Sequence, residues 1–166
     1  MWRDHEFLLV SDGGDVFQRR WSRSFLWSLR RSAEVVWNQA GEAHKRWLLA
    51  NFLLREMRGA YWAINSSPEH YEEPDEGRPP GYSLALARDI IASVRTDYDA
   101  FSDAEAAVLE NHGYLLADAA MRAHVPQLGL NPPPPLAIPH PAWMRERDVR
   151  KALRDSSIKR FFGRWC

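Results

Sequence analysis

Cysteine is almost absent from this sequence: the only one, Cys166, is the last of the 166 residues. A single thiol excludes a disulfide within the chain, and with it the class of small secreted domains held by disulfide frameworks. Residues Met1 to Glu6 are polar and do not have the composition of a secretory signal peptide. We therefore expect a reducing compartment, the cytoplasm, with association at a membrane surface as the alternative.

Long apolar runs and a net charge are also missing. No stretch approaches the roughly 18 apolar residues that indicate a transmembrane helix. The formal net charge is +0, so the chain has no overall positive field, and we expect no nucleic-acid partner. The charges are nevertheless segregated, because residues 19–58 and 143–166 are basic whereas residues 69–76 are acidic.

Motifs for metals, phosphates and nucleophiles are likewise lacking. The six histidines are scattered, and no His-x-x-x-His pair, Cys-x-x-Cys pair or glycine-rich phosphate loop occurs. We therefore expect neither a metal nor a cofactor. Gly81-Tyr82-Ser83-Leu84-Ala85 approaches the nucleophile motif G-x-S-x-G, but a proline-containing loop precedes it where the motif requires a strand. Ser83 is better interpreted as the N-cap of a helix.

What the sequence does contain is a strand–turn–helix pattern near its start. Phe7 to Val10 is an apolar run that predicts a buried strand, and Ser11-Asp12-Gly13-Gly14 predicts a sharp turn before a long amphipathic helix. Asp12 would then stand at the carboxyl end of a strand, where α/β folds place catalytic and ligand-binding groups. The simpler interpretation is an Asp-Gly turn in which the carboxylate accepts a hydrogen bond from its own backbone.

Only one other strong strand pattern follows, from Gly59 to Asn65. Two strands make a poor sheet, and a parallel pair joined by a crossover helix needs neighbouring strands. We expect the missing strands to come from polypeptide outside this sequence.

A single long helix is predicted between these strands, from about Ser22 to Arg55, with Arg58-Gly59 ending it. Apolar residues recur at intervals of three and four along it: Leu26, Leu29, Ala33, Val36, Ala40, Ala43, Trp47, Ala50 and Leu54. This stripe predicts a helix face packed in the core. A coiled coil is the alternative, although the small alanines suit close packing against a sheet or a second helix.

Two further helices are predicted, over Leu84 to Val94 and from Ser102 to about His124. Ser102 and Glu105 form the Ser-x-x-Glu signature of a capping box. His112 lies inside the second helix, and we interpret it as a packed or surface histidine.

The last part of the chain begins with a proline-rich spacer around Pro132 to Pro135. A short helix is predicted beyond it, from Trp143 to Ser156, with Trp143, Val149 and Leu153 facing inward. This basic and aromatic tail either docks back on the body or lies on an anionic membrane surface.

Four segments, in this order and spacing, resemble the carboxyl-terminal part of bacterial patatin-like phospholipases. They are LLVSDGG (residues 8–14), AHKRWLL (43–49), RGAYWAI (58–64) and ENHGYLLADAA (110–120). The resemblance covers about residues 7 to 126. It implies an α/β class, namely the mostly helical carboxyl-terminal part of a three-layer α/β/α fold. Residues 1–127 would belong to that hydrolase domain, and residues 128–166 would form the spacer and tail.

The resemblance also implies a lipid acyl hydrolase with a Ser-Asp dyad, acting in lipid degradation as a phospholipase or esterase. Asp12, Gly13 and Gly14 match the D-G-G motif that carries the catalytic aspartate, or else a second Asp-Gly strand end that precedes the long helix in relatives. The G-x-S-x-G nucleophile and the glycine-rich oxyanion loop are absent from this sequence. We therefore expect a carboxyl-terminal fragment, inactive alone, whose partners are the missing amino-terminal half and a lipid or membrane surface. The alternative is a stand-alone helical interaction module that binds an anionic membrane or an acidic partner.

Overall fold

The computed structural model describes residues 4–14, 41–71, 81–94, 100–129 and 134–156, with the backbone of residues 159–160 and 164–165. The elements in chain order are β1 (Leu8–Asp12), α1 (described over residues 41–53), β2 (Gly59–Ala63), α2 (Leu84–Asp89), α3 (Asp103–His124), α4 (Glu146–Leu153), β3 (Lys159–Arg160) and β4 (Arg164–Trp165). The chain is therefore mixed α/β, as predicted at that level. The described residues fall into two compact units: residues 4–8 with 41–58, and residues 9–14 with 59 onward.

The two strands predicted from the sequence pair with each other in parallel. The amide of Leu8 donates to the carbonyl of Arg58, and the amide of Ile64 donates to the carbonyl of Asp12, both at 2.9 Å. The expectation that β1 is buried is wrong, because its residues alternate between half-buried and exposed, and Leu9 is 42% exposed. The physical reason is that a strand in this small sheet has a face that the described residues do not cover.

Helix α1 ends earlier than the predicted Gly59 cap. The amide of Arg55 bonds the carbonyl of Phe52 at 3.2 Å, and that of Glu56 bonds the carbonyl of Asn51 at 3.0 Å. Arg55 has a φ of 58°, which completes the Schellman arrangement that usually employs glycine. Gly59 instead begins β2.

The apolar stripe predicted to pack in the core is exposed on the described part of α1. Ala43, Trp47, Ala50 and Leu54 are all exposed, Trp47 by 47% and Leu54 by 72%. The buried side of the helix carries Leu48, which lies roughly 100° around the axis from Trp47. The prediction is therefore wrong for this part of the helix, and the earlier part of the stripe lies outside the described residues.

The core of the second unit is built around α3. Its predicted capping box is present: the Ser102 amide donates to Glu105 Oε2 at 2.7 Å, and the Glu105 amide donates to Ser102 Oγ at 3.3 Å. The buried apolar residues that form one cluster are Tyr82, Leu86, Ile91, Val94, Val108, Val149 and Leu153. Val149 and Leu153 belong to α4, so their predicted inward positions are confirmed. Trp143, the third predicted position, lies in a 3-10 turn before the helix and packs against the cluster while partly exposed.

Smaller differences concern the other predicted elements. The helix predicted over 84–94 is α2 followed by a separate 3-10 turn over Ile91–Ser93. Strands β3 and β4 pair antiparallel, Lys159 with Trp165 and Arg160 with Arg164. The side chains of the aromatic tail and residues 131–133 of the proline-rich spacer lie outside the described residues.

Candidate functional site

Asp12 is the last residue of β1, as the sequence predicts. Its Oδ1 accepts a hydrogen bond from the Gly14 amide at 2.9 Å, and its Oδ2 accepts one from the Tyr61 hydroxyl. A Cβ atom on Gly14 would lie 2.8 Å from Asp12 Oδ1, so a side chain at this position would require the carboxylate to shift. The carboxylate is thus held between its own turn and strand β2.

The contacts of Asp12 are compatible with both interpretations of the Asp-Gly-Gly motif, namely a structural turn and a functional carboxylate at the end of a strand. The bond to Gly14 is the Asx turn expected of a simple Asp-Gly corner. The bond from Tyr61 joins Asp12 to the neighbouring parallel strand and fixes the carboxylate at the sheet's carboxyl edge. A carboxylate oxygen accepts more than one hydrogen bond, so this group can also receive a hydroxyl proton from a nucleophile placed beside it.

Ser83, the near-match to a nucleophile elbow, has a structural role. Its hydroxyl accepts a hydrogen bond from the Leu86 amide at 3.3 Å and caps α2, as predicted. Its own amide donates to Glu146 Oε1 at 2.7 Å, which ties the start of α2 to α4. Ser83 therefore acts as a helix cap.

A second polar cluster, which the sequence did not predict, lies on the buried face of α3. Asn111 is fully buried, and its amide group donates to the His140 carbonyl at 2.8 Å and accepts from the His140 amide at 2.9 Å. Asn111 also donates to the Tyr82 hydroxyl at 3.3 Å, and that hydroxyl donates to the Trp143 carbonyl at 3.0 Å. Burial raises the pKa of Tyr82, so its hydroxyl stays protonated as a donor.

His112 is the next residue of this cluster and is 2% exposed. Because the Ile64 carbonyl only accepts, His112 Nε2 carries the proton that it donates there at 2.8 Å. His112 Nδ1 is buried and has no hydrogen-bond partner among the described residues. Burial lowers the pKa of His112, and the bond to Ile64 opposes that shift. Of the two sequence interpretations, a packed or a surface histidine, the structure shows the packed one.

One sequence signal would have found this cluster. Asn111 and His112 fall between Val108 and Leu115, inside the apolar stripe that the same helix buries. Polar residues on a buried stripe require hydrogen-bond partners, so their position alone predicts long-range bonds.

The described residues also contain an exposed ion pair and a surface depression. His140 Nε2 lies 2.6 Å from Glu110 Oε2 in an exposed pair. In the first unit, a depression of about 470 Å³ is lined in part by Asn51, Arg55 and Arg58. Among the described residues, no group of three or more His, Cys, Asp and Glu side chains is placed to hold a metal ion. No helix in the described part of the chain is both long and apolar enough to cross a membrane.

Comparison of the chain with family models, with curated proteins and with solved structures finds no match.

Proposed function

We propose that this chain is the carboxyl-terminal part of a patatin-like lipid acyl hydrolase domain, with Asp12 as the candidate base of its Ser-Asp dyad. The observation that carries the proposal is the position of Asp12 at the carboxyl end of a parallel strand, with its carboxylate held by Gly14 and Tyr61. Catalytic groups of α/β folds gather at this edge of the sheet.

The sheet supports the same proposal. An apolar strand such as β1 is typical of a parallel sheet buried on both faces. Here Leu9 is 42% exposed, and β1 pairs with β2 in a sheet of two strands. A serine-bearing segment that extends this sheet with further strands and covers its open face with helices would bury that surface and bring its nucleophile to the edge where Asp12 lies.

In this proposal, the residues of this chain supply the base of the dyad and the groups that orient it. Asp12 would accept the proton of the serine hydroxyl as that oxygen attacks the ester carbonyl. The bond from the carbonyl carbon to the alcohol oxygen would then break, the alcohol would leave with that proton, and the acyl-enzyme would remain. Tyr61 and Gly14 would keep the carboxylate in one orientation through this step. Water would then release the acyl group. The serine and the oxyanion donors would come from the other segment.

Complementation is the direct test. The purified chain would be combined with a polypeptide carrying a G-x-S-x-G segment and glycine-rich loop from the coding sequence next to its own, and ester hydrolysis would be measured. We expect neither component alone to be active and the mixture to be active. Asp12→Asn should abolish that activity, whereas Asp89→Asn, a change at an exposed aspartate, should leave it unchanged.

The possible outcomes distinguish an error in the hydrolase assignment from an error in the role given to Asp12. An active mixture that tolerates Asp12→Asn would make Asp12 the second Asp-Gly strand end and leave the hydrolase assignment intact. Serine-dependent hydrolysis by the chain alone would contradict the proposal. An inactive mixture, together with salt-sensitive binding of the chain to anionic vesicles, would favour the interaction module instead.

A further inference from the structure

The hydrogen-bond ladder between β1 and β2 changes its pattern at Asp12. The Ile64 amide donates to the Asp12 carbonyl at 2.9 Å. In a parallel pair such bonds alternate regularly between the two strands, so the next one would run from the Gly14 amide to the Ile64 carbonyl. The Gly14 amide instead donates to Asp12 Oδ1, at 2.9 Å. The last ladder donor is thus used by the carboxylate.

His112 supplies the donor that the ladder would have taken from Gly14. Its Nε2 donates to the Ile64 carbonyl at 2.8 Å, so both the amide and the carbonyl of Ile64 are bonded, one to β1 and the other to α3. Ile64 is half-buried, and a backbone acceptor left unpaired away from water costs free energy. Without His112, the Ile64 carbonyl would therefore compete with the carboxylate for the Gly14 amide.

We propose that His112 is a positioning residue for Asp12, because its bond to the Ile64 carbonyl leaves the Gly14 amide to the Asp12 carboxylate. The inference rests on the proposed function, in which Asp12 is the base of the dyad and needs one orientation. A hydrogen bond to a charged carboxylate is short and strong. The Gly14 amide thereby fixes Oδ1 while the Tyr61 hydroxyl holds Oδ2. His112 acts on this arrangement through Ile64.

The position of His112 is itself determined by packing. The residue is 2% exposed, and its ring lies against that of Tyr82, with the centroids 5.8 Å apart and the planes at 40°. The Tyr82 hydroxyl is held in turn by the Asn111 amide at 3.3 Å and the Trp143 carbonyl at 3.0 Å. A group that orients another needs a conformation locked by its own neighbours, and His112 meets that requirement.

Substitutions at His112 separate the donor from the packing. His112→Leu fills a similar volume without a donor, whereas His112→Gln keeps an N–H at about the reach of Nε2. Leu116→Ala, at a residue 1% exposed on the same helix, loosens the core but retains the bond to Ile64, and it is the control. If circular dichroism shows that His112→Leu does not fold, His112→Phe replaces it, since phenylalanine also lacks the donor and keeps a flat ring against Tyr82. Asp12→Ala, which removes the carboxylate, gives the reference.

The amide proton of Gly14 is the readout, measured by NMR on the purified chain. Gly13-Gly14 is the one place in the sequence where two glycines adjoin. Isotope labelling of glycine at both its carbonyl carbon and its nitrogen therefore identifies the Gly14 signal by its coupling to a labelled carbonyl. We expect His112→Leu to move this signal at least halfway from its position in the parent chain to its position in Asp12→Ala. His112→Gln and Leu116→Ala should leave it near the parent position.

An unmoved Gly14 signal in His112→Leu would overturn the proposal. An equal movement in His112→Gln or Leu116→Ala would also overturn it, because the effect would then not depend on the donor. This readout needs neither substrate nor a second segment, so a failure of the proposed function in the complementation test is seen separately. In an active mixture, His112→Leu should lower kcat by up to about a hundredfold with KM little changed, and His112→Gln should recover most of that loss.

Discussion

His112 Nε2 lies 2.8 Å from the carbonyl oxygen of Ile64, and this bond joins the middle of α3 to the residue that follows β2. The bond places a proton on Nε2, and burial keeps the imidazole neutral by lowering the pKa of His112. Protonation of Nδ1 would place a charge in a site that is almost fully buried.

Stability should therefore fall in mild acid. The unfolded chain takes up a proton on this histidine near its ordinary pKa of 6.5, whereas burial lowers the pKa of His112 in the folded state. Between these two pKa values the unfolded state binds more protons, so the free energy of unfolding decreases as pH falls below 6.5, by at most about 1.4 kcal/mol per pH unit. Urea unfolding as a function of pH measures this slope.

The matched variants are His112→Gln and His44→Gln. The His112→Gln variant should be less stable than the parent chain at pH 8, but its free energy of unfolding should depend less on pH below 6.5. The His44→Gln variant changes an exposed histidine and should keep the pH dependence of the parent chain. An unchanged pH slope in His112→Gln would contradict the assignment.

The buried amide of Asn111 should be among the most sensitive positions in the chain. Asn111→Ala removes two hydrogen bonds to the backbone of His140 and leaves the amide and carbonyl of this partly buried residue without the Asn111 side chain as partner. We expect a loss of about 2 to 4 kcal/mol in the free energy of unfolding. Gln127→Ala, at an exposed position, should cost less than about 0.5 kcal/mol. Faster proteolytic cleavage around residue 140 in Asn111→Ala would confirm that the bonds hold this segment.

Leu153 tests whether the residues after the proline-rich spacer contribute to the main core. It is 1% exposed and belongs to the cluster that contains Val108 of α3. Leu153→Ala should cost about 2 to 5 kcal/mol through the cavity that it leaves. Leu128→Ala, at a residue 42% exposed, is the control and should cost about 0.5 kcal/mol. A negligible effect of Leu153→Ala would indicate that residues 128–166 form a separate tail.

Arg55 has a left-handed backbone conformation, and we expect its replacement by glycine to stabilise the chain. A side chain at a φ of 58° costs about 1 kcal/mol that glycine does not incur. Arg55→Gly should therefore raise the free energy of unfolding by about this amount. Arg46→Gly, inside α1, should lower it by about 1 kcal/mol. Equal losses in both variants would show that the Arg55 side chain makes contacts that outweigh its backbone cost.

The sequence predicts elements whose signals are local. The Ser102–Glu105 box and the apolar stripe that follows it determine α3, because capping and helical periodicity act within a few turns. The turn at Asp12 is predictable for the same reason. The exposure of the apolar stripe on the described part of α1 could not be predicted in this way. Helical periodicity shows that a helix has an apolar face, but it does not show which element, if any, covers that face. The pairing of Asn111 with His140 depends on residues far apart in the chain, and no local pattern specifies it.

The two bonds between Asn111 and His140 also determine which residue of the last segment can occupy that place. His140 stands between Pro139 and Pro141, neither of which has a backbone N–H. A shift of the segment by one residue in either direction would bring a proline opposite the Asn111 side-chain oxygen, which would lose its donor. The Asn111 side chain therefore disfavours a shift of this segment by one residue in either direction, and the same segment leads into α4, whose Val149 and Leu153 are buried in the core.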